Sequence, residues 1–206
     1  MGSFMTKEYQ KFLTSFLDES KTKHLPKLSM VSCGLGISLA GIGLIPGSSE
    51  IFSDFTCLYD NPLGQRFIRT NTGACNAFKN KAVSKEAVFE LARAMVCSLE
   101  HLAQERIVVA VTGAGTTNRP RRGKNEAFVC VSRDNLNSMF YIEFLNKLPD
   151  SHFEDTNLVW RNQVIQNQRT WEDEQVSKLA LDLAVSVWEN VVQVRSHDPR
   201  IKVSMI

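Results

Sequence analysis

Near the amino end, Tyr9, Phe12, Leu13 and Phe16 recur at helical spacing among polar neighbours, which predicts an amphipathic helix over Lys7–Glu19. Ser20 to His24 has no period and reads as a loop. Leu28 to Ser32 is a short apolar run of strand length. Gly34 to Leu44 mixes Leu, Ile and Ala with Gly36, Gly41 and Gly43, which predicts a helix packed closely against a sheet. The turn Pro46-Gly47-Ser48-Ser49 follows, and then a strand over Ser53–Tyr59. Asn61-Pro62 suits the start of a short helix over Leu63–Ile68. Arg69 to Lys81 holds turn formers and reads as a loop.

The second half is more regular. Ser84 is a natural N-cap, and Val88, Leu91, Ala92, Met95, Leu99 and Leu102 line one face of the helix it opens. Ile107 to Thr112 is a continuous β-branched run, the pattern of a strand buried on both faces. A Gly-bearing basic loop, Gly113 to Asn125, comes next. Ala127–Ser132 and Met139–Leu145 read as strands joined through Asp134-Asn135 as a hairpin. His152 to Gln168 is polar and poorly periodic, with Leu158-Val159-Trp160 as a short strand or packing element. Val176, Leu179, Ala180, Leu183, Val187, Trp188 and Val191 form the buried side of a final helix over Glu172–Val194. This order predicts an α/β layered domain with a mixed sheet. One domain is expected over 1–206, with its core from about 5 to 195 and a loose tail from Ser196.

Composition narrows the function. A net charge of +2 offers no concentrated basic face for nucleic acid. Ser38 and several glycines interrupt the longest apolar run well short of the about 20 residues a membrane span needs. Cys33, Cys57, Cys75, Cys97 and Cys130 are odd in number and contain no CxxC, so they signal neither a zinc site nor a disulfide framework. They fit small buried residues of a reducing compartment, which points to the cytoplasm. Met1-Gly2-Ser3-Phe4-Met5-Thr6 fits the myristoylation pattern literally; coincidence or an expression scar explains it more simply. His24, His101, His152 and His197 are scattered and form neither a triad nor a metal spacing.

The chemistry concentrates in Leu28–Phe52. A strand feeding a helix through Ser32-Cys33-Gly34 sets a hydroxyl beside free backbone N–H groups. A nucleophile or a bound anion suits that place, and so does an ordinary Ser N-cap. Cys33, at a helix start, is either a backup nucleophile or a packing residue. Ser48 and Ser49 either tighten a turn or touch phosphate or ribose. Thr112 and Gly113 end a strand, and ligands of α/β sheets gather outside such ends. The Arg119–Lys124 cluster is either a solvated loop or a phosphate fork.

Several collinear segments resemble the C-terminal domain of the competence/damage-inducible CinA proteins, the nicotinamide-nucleotide amidohydrolase (NMN deamidase) family. They are Val31-Ser32-Cys33-Gly34-Leu35-Gly36, Pro46-Gly47-Ser48-Ser49-Glu50-Ile51-Phe52, Tyr59-Asp60-Asn61-Pro62-Leu63-Gly64, Ala82-Val83-Ser84, and Val109-Ala110-Val111-Thr112-Gly113. The resemblance spans Met30 to Val131 and implies a three-layer αβα domain with a mixed sheet. It also implies a metal-free, cofactor-free hydrolase that attacks the carboxamide of a pyridine mononucleotide and releases ammonia. Association into homo-oligomers is a further implication.

On that resemblance Ser32 is the nucleophile and Tyr59 relays its proton. N–H groups near Cys33 and Gly34 would hold the oxyanion. Ser48, Ser49, Thr112, Gly113 and a late arginine, Arg169, would contact substrate. The chain departs from the family pattern at telling places. Val31 and Gly34 replace the motif Glu and Thr, and the family Lys falls on Gly64. The Gly-rich loop is shortened to Gly113-Ala114-Gly115 and a basic stretch. Arg66, Lys124 and Arg169 are the candidates to replace the lost cation. A catalytically silent CinA-like binding or interaction module is therefore the alternative expectation.

Overall fold

The sheet is built outward from β1 (Lys27–Cys33), whose residues after Lys27 are all buried. The computed structural model describes residues 5–100, 102, 105–118, 123–134, 136–154, 156–191, 196 and 198–206. The start of the myristoylation-like hexapeptide, His101, His197, Asn135 and the Arg119–Arg122 part of the basic loop lie outside these residues. Six strands run in the order β2-β1-β3-β4-β5-β6. β1 pairs in parallel with β2 (Phe52–Cys57) and with β3 (Arg106–Ala114). β4 (Asn125–Arg133), β5 (Leu136–Phe144) and β6 (Ile201–Met205) continue it antiparallel. The sheet is mixed, as the order of elements predicts.

Helices cover both faces. One face carries α1 (Lys7–Thr22), the 3-10 helix η1 (Ile37–Leu44) and α6 (Leu158–Trp188), packed on Leu28, Met30, Val109, Val111 and Val129. The other carries α2 (Asn61–Thr72), α3 (Ala77–Asn80) and α4 (Lys85–Ser98), packed on Val31, Cys33, Val108 and Ala110. Alternation along β1 therefore sends Ser32 toward the α6 face and Cys33 toward the α4 face. The caps at Thr6 and Ser84 accept the N–H groups of Tyr9 and Ala87. A short η2 (Ser48–Glu50) precedes β2, and α5 (Ser151–Glu154) precedes α6. Among the described residues no helix is long and apolar enough to cross a membrane.

Four local expectations are corrected. No α-helix begins at Gly34: β1 runs through Cys33, and η1 begins only at Ile37. Gly34 and Gly36 take positive φ, which keeps the chain out of helix there. Arg69 to Lys81 is not a plain loop, because α2 runs on to Thr72 and α3 follows. The last helix opens at Leu158 rather than Glu172, with Asn157 accepting the Trp160 N–H as its cap. The tail is not loose: Ile201, Val203 and Met205 alternate with Lys202 and Ser204, and this segment closes the sheet as β6.

Candidate strand-end site

β1, β2 and β3 share one carboxyl edge. From it β1 departs toward β2 and β3 turns toward β4. The crevice outside such a divergence is where α/β sheets bind ligands. Here the chain enters it at Gly34, whose φ is +88°. A Cβ at this position would lie 2.0 Å from the Gly113 carbonyl oxygen, so only glycine lets the two strand ends close together. Leu35 then folds into the core, against Gly113 and Gly115. Leu35, set between two glycines of positive φ, thus fills part of the crevice.

Three successive acids of α6, none of which sequence reasoning singled out as a site residue, secure this edge. Asp173 accepts the backbone N–H groups of Gly36 (2.6 Å), Ile37 (3.0 Å) and Ser38 (2.7 Å), and the Ser38 hydroxyl as well. Glu172 accepts the Thr116 N–H (2.6 Å), the Thr116 hydroxyl (2.9 Å), Asn125 Nδ2 (2.8 Å) and Gln168 Nε2 (3.0 Å). Glu174 takes the N–H and hydroxyl of Thr6, both at 2.8 Å. All three are buried. A legible signal existed: stepping back from Val176 and Ala180 by four and seven residues lands on Glu172 and Asp173. Acids on the continuation of a buried stripe need buried donors.

Ser32 sits at the end of β1, close to where it was expected, but sealed. It is 0 % exposed, and its Oγ has no hydrogen-bond partner. Its carbonyl accepts the Leu58 N–H at 2.8 Å, so the backbone before Tyr59 is stitched to it. The Ser N-cap reading fails as well, because the helix start is capped by Asp173 instead. The N–H groups at the start of η1, of Gly36, Ile37 and Ser38, are taken by Asp173; those near Cys33 and Gly34, where the resemblance sets an oxyanion, lie just before them.

Cys33 is buried inside β1, and burial pushes its thiol up to about 11, the reverse of an activated nucleophile. Thr112 is fully buried with its Oγ1 unpartnered, and Gly113 is packed between Gly34, Leu35 and Ala127. Neither opens to a ligand. Ser48 and Ser49 lie at the opposite end of the sheet: Lys27, which begins β1, donates to the Ser49 carbonyl. β1 spans roughly 20 Å at the usual strand rise, so these serines cannot share a substrate with the carboxyl edge. They tighten the turn before β2.

Tyr59 and Arg169 are brought together. Tyr59 is 62 % exposed just beyond β2. Arg169, from α6, donates through Nη2 to the Tyr59 hydroxyl at 2.8 Å and through Nη1 to the Thr116 carbonyl at 3.0 Å. Its guanidinium carbon lies 5.7 Å from the tyrosine ring centroid, a cation–π approach. The other two candidate cations are elsewhere: Arg66 is exposed on α2, and Lys124 pairs with Glu143 at 2.7 Å. At Gly64, where the sequence resemblance would set a Lys, a Cβ would stand 2.5 Å from the ring of Phe78. That room belongs to an aromatic side chain of α3. Among the described residues no group of three or more His, Cys, Asp or Glu is placed to hold a metal ion.

No protein-family model matches the chain, and no curated protein matches it. Solved structures do. The competence/damage-inducible protein CihA from Agrobacterium tumefaciens superposes with a TM-score of 0.59 at 18% identity, covering 90% of this chain and 99% of that one. A competence or damage-inducible protein from Enterobacter asburiae gives 0.54 at 14% identity, over 85% and 95% of the two chains. A CinA superfamily protein from Escherichia coli gives 0.54 at 11% identity, over 86% and 94%. The chain has the CinA-like α/β fold across most of its length.

Proposed function

We propose that this CinA-like chain binds a small anionic ligand of the pyridine mononucleotide class at its strand-end mouth, through Arg169 and Tyr59, without hydrolysing it. One contrast carries this reading: Ser32 Oγ is fully buried without a partner, while the neighbouring Tyr59–Arg169 pair faces solvent. A serine nucleophile needs access to its substrate and a base within hydrogen-bond reach. An oxyanion hole needs unspent donors, and Asp173 takes those of Gly36, Ile37 and Ser38 at the start of η1. Phe78 occupies the room that a cation at Gly64 would need. What remains is a half-buried guanidinium beside an exposed aromatic ring: Nη1 and Nη2 each hold one partner, and the remaining N–H groups of Arg169 suit a phosphate while the Tyr59 ring suits a flat base. The pyridine class rests on the sequence resemblance alone.

Calorimetric titration with nicotinamide mononucleotide tests the proposal. The wild type should bind, and Arg169→Ala should weaken binding roughly tenfold or more, as loss of a charge-assisted contact does. Absence of binding, or binding indifferent to Arg169→Ala, contradicts it. A second reading is favoured by the 2.8 Å bond from Arg169 to Tyr59: Arg169 replaces the cation missing at Gly64, and slow amide hydrolysis survives. That reading requires Ser32 to become exposed and predicts ammonia release that Ser32→Ala abolishes.

A further inference from the structure

A helix laid on a sheet by one face normally turns its opposite face to water. On α6, Glu172, Asp173, Val176 and Ala180 are buried toward the sheet and its strand ends, while Trp171, Gln175 and Lys178 lie half a turn away. That second face is half-buried, because α1 rises on one side of it and Asp198 and Arg200 on the other. Between them is a cleft of about 900 Å³, the size of a small-molecule site. It continues past Lys178 to Phe12 and Leu179. The acids around it are committed. Glu174 holds the N–H and hydroxyl of Thr6, and Asp198 pairs with Arg200 at 2.6 Å. Asp182 is engaged as well. Glu8 is exposed in the first turn of α1, where the helix N-terminus offsets its charge. Lys178 differs from them. Its Nζ lies 5.9 Å from the Tyr9 ring centroid and 5.8 Å from that of Phe12, and among the described residues it forms no ion pair. Two aromatic rings thus steady a half-buried cation that no carboxylate answers. Trp171 stands two turns away along α6, roughly 10 Å, with Arg200 at 4.3 Å from its ring centroid.

We propose that this cleft binds an aromatic monoacid, a flat ring system carrying one carboxylate or sulfonate. Lys178 pairs with the acid group. Phe12, Leu179 and Trp171 give the ring its apolar walls, and Thr170 and Gln175 supply neutral hydrogen-bonding groups between them. A single amine balances one negative charge and lacks the fork that favours phosphate. The cleft lies on the far side of α6 from Arg169 and Tyr59. It therefore goes beyond the mononucleotide reading and does not require it.

Anilinonaphthalene sulfonate, a flat dye with one sulfonate that fluoresces on binding, tests it. The folded wild type should bind the dye saturably, and the indole N–H resonance of Trp171 should move while those of Trp160 and Trp188 stay. Lys178→Met keeps the aliphatic stem and should weaken binding about tenfold, as loss of a charge-assisted contact does. Lys178→Arg keeps the charge and should retain binding. Naphthoate should displace the dye, and naphthamide, of the same shape without the charge, should not. Absence of saturable binding, a Trp171 resonance that stays put, or binding indifferent to Lys178→Met overturns the proposal. So does equal loss in Lys178→Arg, equal displacement by acid and amide, or loss of the dye in Arg169→Ala. Mononucleotide affinity should be the same in Lys178→Met as in the wild type, so the two sites fail or hold separately.

Discussion

At Gly64 the ring of Phe78 stands 2.5 Å from where a Cβ would sit, and that one distance bears on what the chain can catalyse. Gly64→Ala should destabilise the fold by about 1–3 kcal/mol, the usual cost of overpacking. Urea denaturation measures it, and Gly64→Ala with Phe78→Leu should recover most of the loss. Ser32→Ala should behave in the opposite way. Its Oγ makes no hydrogen bond, so deleting it removes a buried unpaired group and leaves the melting temperature unchanged or higher. The cysteines separate by environment: iodoacetamide at pH 8 should label exposed Cys57 long before buried Cys33, as peptide mapping can show. The residue types at the strand end were legible in the sequence, and the resemblance named both Tyr59 and Arg169, which the fold sets side by side. The burial of Ser32 was not, because it depends on α1, η1 and α6 converging on the face of β1 toward which it points. No local pattern around Ser32 encodes that convergence.

The long helix α6 carries more of the site than its apolar stripe suggests. Its first half is polar, with Leu158, Val159 and Trp160 exposed, so period counting placed its start at Glu172, the first residue of the acidic triplet. That triplet sits where the helix crosses the strand ends. Glu172→Ala should cost at least about 2 kcal/mol, since it strands the Thr116 N–H and the Asn125 amide in the interior. The same change loosens Thr116, whose carbonyl holds Arg169, so mononucleotide affinity should fall in parallel. At the other end of the sheet, β6 covers the edge of β5 through pairs from Phe140↔Met205 to Phe144↔Ile201. Removing residues 200–206 should lower the melting temperature and produce concentration-dependent aggregation, visible by light scattering, because an open strand edge recruits other chains. The period-two alternation of Ile201, Val203 and Met205 was present in the sequence. Its short length and terminal position masked it.

For the whole molecule, the mixed α/β sheet was readable from the alternation of elements, because each strand and helix satisfied its own period. The two-faced core also sets the response to alkali. Burial pushes the thiols of Cys33 and Cys130 up to about 11 and about 12, and it raises the hydroxyls of Tyr9 and Tyr141 further still. These groups ionise more easily in the unfolded chain. Their contribution to stability is complete below the ordinary thiol value of 9.0 and is lost as pH climbs through the folded values. Melting temperature should therefore fall steeply above pH about 9. For the whole molecule the central proposal is that the carboxyl edge of the sheet is closed to nucleophilic chemistry by the chain's own side chains. Ammonia release from nicotinamide mononucleotide, followed for wild type and Ser32→Ala side by side, tests that claim most directly. Two superimposable traces at the background rate are predicted; turnover in the wild type that disappears in Ser32→Ala would contradict it.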